Sequence, residues 1–175
     1  MPPSILIAYS TRGGATGEVS ESIAVALRES GLPVEVCRVK ELKFIDDRDA
    51  VILGAPLYMG GFPGEFRRFL ETHRTALLGL PIWCFVLGPV EAKPEQFDSA
   101  RRQAEKQLAA YAWLKPIELK IFGGRFDFQR IGFPFSLLRH LPAFPLRKSP
   151  AMDIRDWDAI RAWAQSIAVR LKTAA

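Results

Sequence analysis

Ile5-Leu6-Ile7-Ala8-Tyr9 is an unbroken apolar run that gives way at once to Ser10-Thr11-Arg12-Gly13-Gly14-Ala15-Thr16-Gly17. A strand without polar alternation is covered on both faces, as in a parallel sheet. From Thr16 the apolar positions Val19, Ile23, Ala24 and Leu27 recur at helical spacing, and Ser30-Gly31 followed by Pro33 stops the run. Strand, tight loop and helix in so short a span commit the chain to an α/β fold whose first strand lies centrally.

The same unit recurs downstream. Val34-Glu35-Val36-Cys37-Arg38-Val39 alternates and predicts a strand nearer an edge. After the charged turn Asp46-Asp47-Arg48-Asp49, Ala50 to Ala55 predicts a buried strand ending at Pro56. Pro63 to Leu78 reads as one helix, with Phe66, Phe69, Leu70 and Leu77 on its apolar side. Ile82 to Leu87 is a further strand stopped by Gly88-Pro89, about Glu95 to Ala112 a helix, and Ile117 to Phe122 a fifth strand before Gly123-Gly124. Asp156 is the expected N-cap of a last helix whose apolar face is Trp157, Ile160, Trp163, Ala164, Ile167 and Leu171. Five strands alternating with helices predict a doubly wound α/β sheet with helices on both faces. The 175 residues, 49% of them hydrophobic, suffice for one core, so one domain is expected over 1–175. An irregular insertion at about 125–155 mixes aromatics, prolines and cations without a period.

The N-terminus lacks the basic start, apolar stretch and cleavage site of a signal peptide, which predicts a cytoplasmic protein. No apolar run reaches the about 20 residues of a membrane span. Cys37 and Cys84 stand among apolar neighbours and read as buried reduced thiols. Neither His73 nor His140 has the Cys or carboxylate company of a triad or metal site. A net charge of +5 suits an anionic partner, whether a membrane surface, a nucleic acid or an acidic small molecule. The cations are dispersed and accompany no nucleic-acid motif, so nucleic acid is not the expected partner.

Ligands of an open parallel sheet bind beyond the carboxyl ends of the strands, where strand order reverses. Ser10, Thr11, Arg12, Gly13, Gly14, Ala15 and Thr16 offer hydroxyls, close backbone approach and the amide end of a helix, a nest suited to a phosphate. The nest lacks the Gly-Lys-Ser/Thr of a triphosphate loop and the Gly-x-Gly-x-x-Gly of a dinucleotide site, so a monophosphate fits better. A tight turn with ordinary capping by Ser10 or Thr16 reads the same residues without a ligand. Pro56, Leu57, Tyr58, Met59, Gly60 and Gly61 combine soft or flat apolar groups with glycines that can cover a planar ring, Tyr58 and Met59 being the stacking candidates. Tyr58 or Phe62 packing into the domain is the competing reading. Gly88, Pro89 and Val90, with Gly123 and Gly124, lie at equivalent strand ends and are placed to flank the ring's other side.

Tyr9 to Thr16, Gly54-Ala55-Pro56-Leu57-Tyr58-Met59-Gly60, Phe122-Gly123-Gly124 and Asp153-Ile154-Arg155-Asp156-Trp157 together resemble the flavodoxin superfamily. Within it they are most similar to the branch of menaquinone-dependent protoporphyrinogen IX dehydrogenase and its flavodoxin-domain relatives, over essentially the whole chain. The resemblance implies a five-stranded sheet of order 2-1-3-4-5 and non-covalent FMN, its phosphate at residues 11 to 16 and its ring between 57–61 and 88–91. It also implies electrons passing from protoporphyrinogen IX through FMN to a quinone, with no catalytic side chain because the flavin carries the chemistry.

Arg12, Arg125 and Arg130 are candidates to attract the propionates of such a substrate, or are solvated surface cations. The segment Phe126 to Pro150 departs from the branch, since Pro134, Pro142, Pro145 and Pro150 interrupt the long helix expected there. Its aromatics and cations, Phe133 to Leu141 with Phe144, Leu146, Arg147 and Lys148, suit contact with the inner face of the cell membrane. Packing over the sheet edge or against a partner in a homodimer suits them equally. A one-electron carrier, or an FMN-binding module without its own substrate, would use the same loops, but shuttle flavodoxins are expected to be acidic. A scaffold that has lost FMN conflicts with the intact pattern from Ser10 to Thr16.

Overall fold

The computed structural model describes residues 1–45, 47–58, 60–126 and 152–174. Asp46, Met59, residues 127–151 and Ala175 lie outside the described residues, and with them fall the expectations for Met59, Arg130, His140 and the proline-broken segment.

The strands are β1 (Ile5–Tyr9), β2 (Val34–Arg38), β3 (Ala50–Pro56), β4 (Ile82–Leu87) and β5 (Glu118–Phe122). They form one parallel sheet of order β2-β1-β3-β4-β5, as expected. Every residue of β3 and β4 is buried, which is why neither shows polar alternation, whereas edge strand β2 is only half-buried.

Side-chain alternation along the strands builds two cores. On one face Ile5, Ile7, Ile52, Phe85 and Phe122 meet helix α1 (Ala15–Glu29) and the last described helix, α5 (Trp157–Ala174), through Val19, Ile23, Leu27, Ile160, Trp163 and Ile167. On the other, Leu6, Leu53, Cys84 and Val86 meet α2 (Gly64–Thr72), α3 (Arg74–Leu77) and α4 (Pro94–Ala109) through Phe66, Leu70, Leu77, Ala104 and Leu108. Each Leu or Ile fully withdrawn from water here stabilises the fold by roughly 1.5–3 kcal/mol. Gly54 is required by the first core: a Cβ there would lie 2.3 Å from the Phe85 ring.

The helix expected over 63–78 is broken at His73, whose φ of −100° and ψ of 16° separate α2 from α3. A local bend, which apolar spacing does not record, divides the pattern. Asp156 caps α5 as expected, its Oδ1 accepting from the Ala159 amide at 2.9 Å. Trp157, expected on the buried face of α5, is exposed, and the Arg155 guanidinium lies 4.5 Å from its ring centroid. At the first position of the helix the side chain lies outside the core and serves as a platform for its neighbour.

The described ends of the irregular insertion are paired with each other. Strands β6 (Arg125–Phe126) and β7 (Met152–Asp153) pair antiparallel, Arg125 opposite Asp153 and Phe126 opposite Met152. Two residues per strand are too few for a period to register in the sequence. Cys84 is buried, which pushes its thiol up to about 12, and Cys37, expected to be buried, is half-buried because β2 is an edge strand. Among the described residues no helix is long and apolar enough to cross a membrane.

Candidate functional site

Strand order reverses between β1 and β3, so the loops following these two strands meet at the switch point. In the first loop the Gly14 amide donates to Thr11 Oγ1 at 3.0 Å, and Gly14 takes φ +84°, a conformation that favours glycine. Helix α1 follows immediately, with Gly14 at its N-cap and no side-chain cap. The ordinary capping by Ser10 or Thr16 that the ligand-free reading invoked is therefore absent, and Thr11 shapes the turn. Thr16 is buried, its carbonyl accepting from Ser20 Oγ at 2.9 Å.

Ser10 stands at the head of this loop. Its amide donates to the Gly54 carbonyl at 2.9 Å, while its hydroxyl is buried and has no hydrogen-bond partner. Among the described residues, Arg38 Nε and the indole nitrogens of Trp83 and Trp163 share that condition, but the indoles lie in the core beneath α1 and α5. Ser10 and Arg38 are beside the loop. Arg38 pairs with Tyr9 across β1 and β2, and its Nη2 donates to the Thr11 carbonyl at 3.4 Å. Sequence reasoning missed Arg38, although its register beside the last residue of β1 follows once the two strands are aligned.

The second loop closes on itself. Tyr58 and Gly61 exchange two backbone hydrogen bonds of 3.0 Å, and Gly60 turns the chain at φ +80°, where an added Cβ would lie 3.2 Å from Gln103 Oε1. Tyr58 joins the two loops: the Arg12 guanidinium lies 5.4 Å from its ring centroid, and the backbone of Gly13 and Arg12 lies near enough to its hydroxyl to favour the ionised form. Burial pushes the Tyr58 hydroxyl above its ordinary range, with the Gly13 and Arg12 contacts opposing it. Phe62 turns into the core against Phe66, their ring centroids 5.3 Å apart. Pro56 is the last residue of β3, buried and paired with Leu87, and Leu57 donates to the Leu87 carbonyl at 2.8 Å.

The third and fourth loops are fastened to each other. The Gly124 amide donates to the Pro89 carbonyl at 2.7 Å, and Gly88 donates to the Phe122 carbonyl at 3.3 Å. Gly123 faces the tail: a Cβ there would lie 2.2 Å from the Ile154 carbonyl oxygen. Val90 is half-buried beside this junction.

Arg125, considered as a surface cation or a substrate anchor, is engaged instead by the first loop and helix. Its Nη1 contacts Glu18 Oε2 at 2.8 Å and its Nη2 donates to the Gly13 carbonyl at 3.2 Å. Arg155, whose side chain is 3% exposed, contacts the same Glu18 oxygen at 2.7 Å and Asp153 at 2.5 Å. Burial opposes ionisation of Glu18, but hydrogen bonds from Arg155 and Arg125, with their charges, outweigh it and hold the carboxyl below its ordinary range. The Arg155 hydrogen bond likewise lowers Asp153.

With this geometry in place, the comparisons with known proteins are decisive for the family. A family model described as "Flavodoxin domain" matches residues 6–134. The chain belongs to the flavodoxin-domain family. Protoporphyrinogen IX dehydrogenase [quinone] of Escherichia coli strain K12 is 26% identical over 171 residues, covering 93% of both chains. Among solved structures, a cysteine-to-serine mutant of flavodoxin from Pseudomonas aeruginosa superposes with TM-score 0.59 at 14% identity, covering 97% of this chain and 99% of that one. Oxidised flavodoxin 1 from Bacillus cereus gives TM-score 0.53 at 19% identity, covering 79% and 99%. These structural likenesses establish the flavodoxin fold for the chain.

Proposed function

We propose that this flavodoxin-domain protein is an FMN-dependent oxidoreductase that takes electrons from protoporphyrinogen IX and passes them to a quinone. The observation that carries the cofactor assignment is the Ser10 hydroxyl, buried and without a partner at the head of a glycine-shaped loop and a helix N-terminus. A buried hydroxyl left unpaired costs about 1–3 kcal/mol, and a phosphate oxygen is the acceptor that this position suits. The resemblance of the whole chain to a protoporphyrinogen dehydrogenase supports the substrate and acceptor.

In this reading Ser10, Thr11, Arg12, Gly13, Gly14, Ala15 and Thr16 hold the phosphate, with the positive end of α1 behind it and Arg38 adding a cation. Pro56, Leu57, Tyr58, Met59, Gly60 and Gly61 cover one side of the flavin ring, and Gly88, Pro89 and Val90 the other. Gly123 and Gly124 flank that same side, the Gly124 amide fastening the 88–90 loop through the Pro89 carbonyl. Bound FMN supplies the redox chemistry, accepting electrons from one substrate and returning them to another. The protein's share is position, exclusion of water and electrostatic tuning. In sequence, the aromatics and cations between Phe126 and Pro150 suit the anionic inner surface of the cell membrane, where a quinone dissolves, while the protein itself is cytoplasmic.

The test is anaerobic addition of protoporphyrinogen IX to the FMN-loaded protein, followed by a menaquinone analogue. The expected result is loss of the flavin's visible absorbance, then its recovery on adding quinone with growth of porphyrin fluorescence over repeated turnover, because full oxidation of one protoporphyrinogen releases more electrons than one flavin accepts. A flavin that protoporphyrinogen leaves oxidised, while dithionite reduces it, would reject this substrate and favour an electron carrier.

A further inference from the structure

The tail of the chain is tied to the phosphate loop by a continuous hydrogen-bonded chain: the Gly13 carbonyl, Arg125, Glu18, Arg155 and Asp153. The Ile154 amide adds a 3.1 Å bond to the Gly124 carbonyl. Within the loop, the peptide between Gly13 and Gly14 is held at both ends, its oxygen by Arg125 and its N–H by Thr11 Oγ1. Because the peptide is planar, fixing both ends fixes the orientation of the whole unit in the turn that opens α1.

Glu18 makes this arrangement informative. It lies in the first turn of α1, where the helix dipole favours an anion, and it is therefore a competitor for the field that a bound phosphate would use. A bare carboxylate there would repel a phosphate. Two guanidiniums on the same Glu18 oxygen offset that charge, and they reach it from β6 and from the residue two beyond β7's Asp153.

We propose that Arg125 and Arg155, joined through Glu18, are positioning residues that brace the phosphate loop from the tail, so that affinity for the phosphate of FMN depends on this brace. The inference rests on the reading of residues 10–16 as a phosphate site. It assigns to the Asp153-Ile154-Arg155 motif a role that none of the ring or phosphate loops fulfils. A preorganised loop loses less order on binding, which is where the affinity arises.

The experiment compares FMN with riboflavin, which has the same ring and no phosphate, by fluorescence titration of the FMN-free full-length protein. Variants are Glu18→Gln, Arg125→Ala and Arg155→Lys. The brace predicts that FMN affinity falls roughly tenfold in each variant, on the scale of a lost charge-assisted hydrogen bond, while riboflavin affinity is unchanged. Equal losses for both ligands would make the network merely structural and overturn the proposal. Tighter FMN binding by Glu18→Gln would also overturn it, since the network would then act through charge alone. So would unchanged FMN affinity in all three. A wild-type protein with no preference for FMN over riboflavin would remove the phosphate site itself, a separate failure from any of these.

Discussion

Gly123→Ala is expected to lower the free energy of unfolding by about 2–3 kcal/mol, the upper part of the range for overpacking a well-filled site. The added Cβ would lie 2.2 Å from the Ile154 carbonyl oxygen and 2.9 Å from its carbon. Both are backbone atoms, so no change of side-chain rotamer relieves the clash. The tail must move, and the hydrogen bond between the Ile154 amide and the Gly124 carbonyl moves with it. Gly61→Ala is the control, because the nearest atoms to a Cβ there are 3.9 and 4.0 Å away. Urea unfolding of the two variants checks the contrast. Equal stability of Gly123→Ala and wild type would show that residues 123 and 154 are not packed as described.

Ser10→Ala is expected to separate stability from binding. The hydroxyl is buried and unpaired in the protein alone, so its removal leaves the FMN-free protein as stable as wild type, or more stable by about 1 kcal/mol. Binding should move the other way. A hydrogen bond to a charged phosphate is worth roughly 1.5–3 kcal/mol, so FMN affinity falls by about 10- to 100-fold. Thermal melts of the FMN-free variant beside a fluorescence titration measure both quantities. Reduced stability with unchanged affinity would make Ser10 a structural residue and take it out of the phosphate site.

The legible part of the fold is the part with a period. Strands β1, β3 and β4 are covered on both faces, and their continuous apolar runs predicted a central parallel sheet and hence loops meeting at its carboxyl end. Asp156 was likewise legible as a cap because capping is local chemistry. What escaped is long-range. Arg125 meets Glu18 across most of the chain, and Arg155 reaches the same carboxylate from still further on, so neither partnership leaves a mark in local spacing. The bend at His73 is a matter of two backbone angles inside an unbroken apolar pattern. Trp157 shows the limit of periodicity in another way: it fits the spacing of the α5 face, yet at the helix start it stands clear of the core under Arg155.

At the site, the glycines and hydroxyls from Ser10 to Thr16 were visible as a nest, whereas their division of labour was not. Thr11 shapes the turn, Ser10 keeps an unpaired hydroxyl, and Tyr58 reaches the backbone of Gly13 and Arg12. Those distinctions depend on how two loops, separated by a helix and two strands, approach each other. Only the register of β1 with β3 brings them together.

FMN binding is measured by the visible spectrum of the natively purified protein, followed by titration of its FMN-free form with FMN. The expected result is a yellow protein with flavin absorbance, and saturable, stoichiometric uptake of FMN that is weakened by Ser10→Ala. A colourless protein that takes up no FMN when it is supplied would contradict the cofactor assignment.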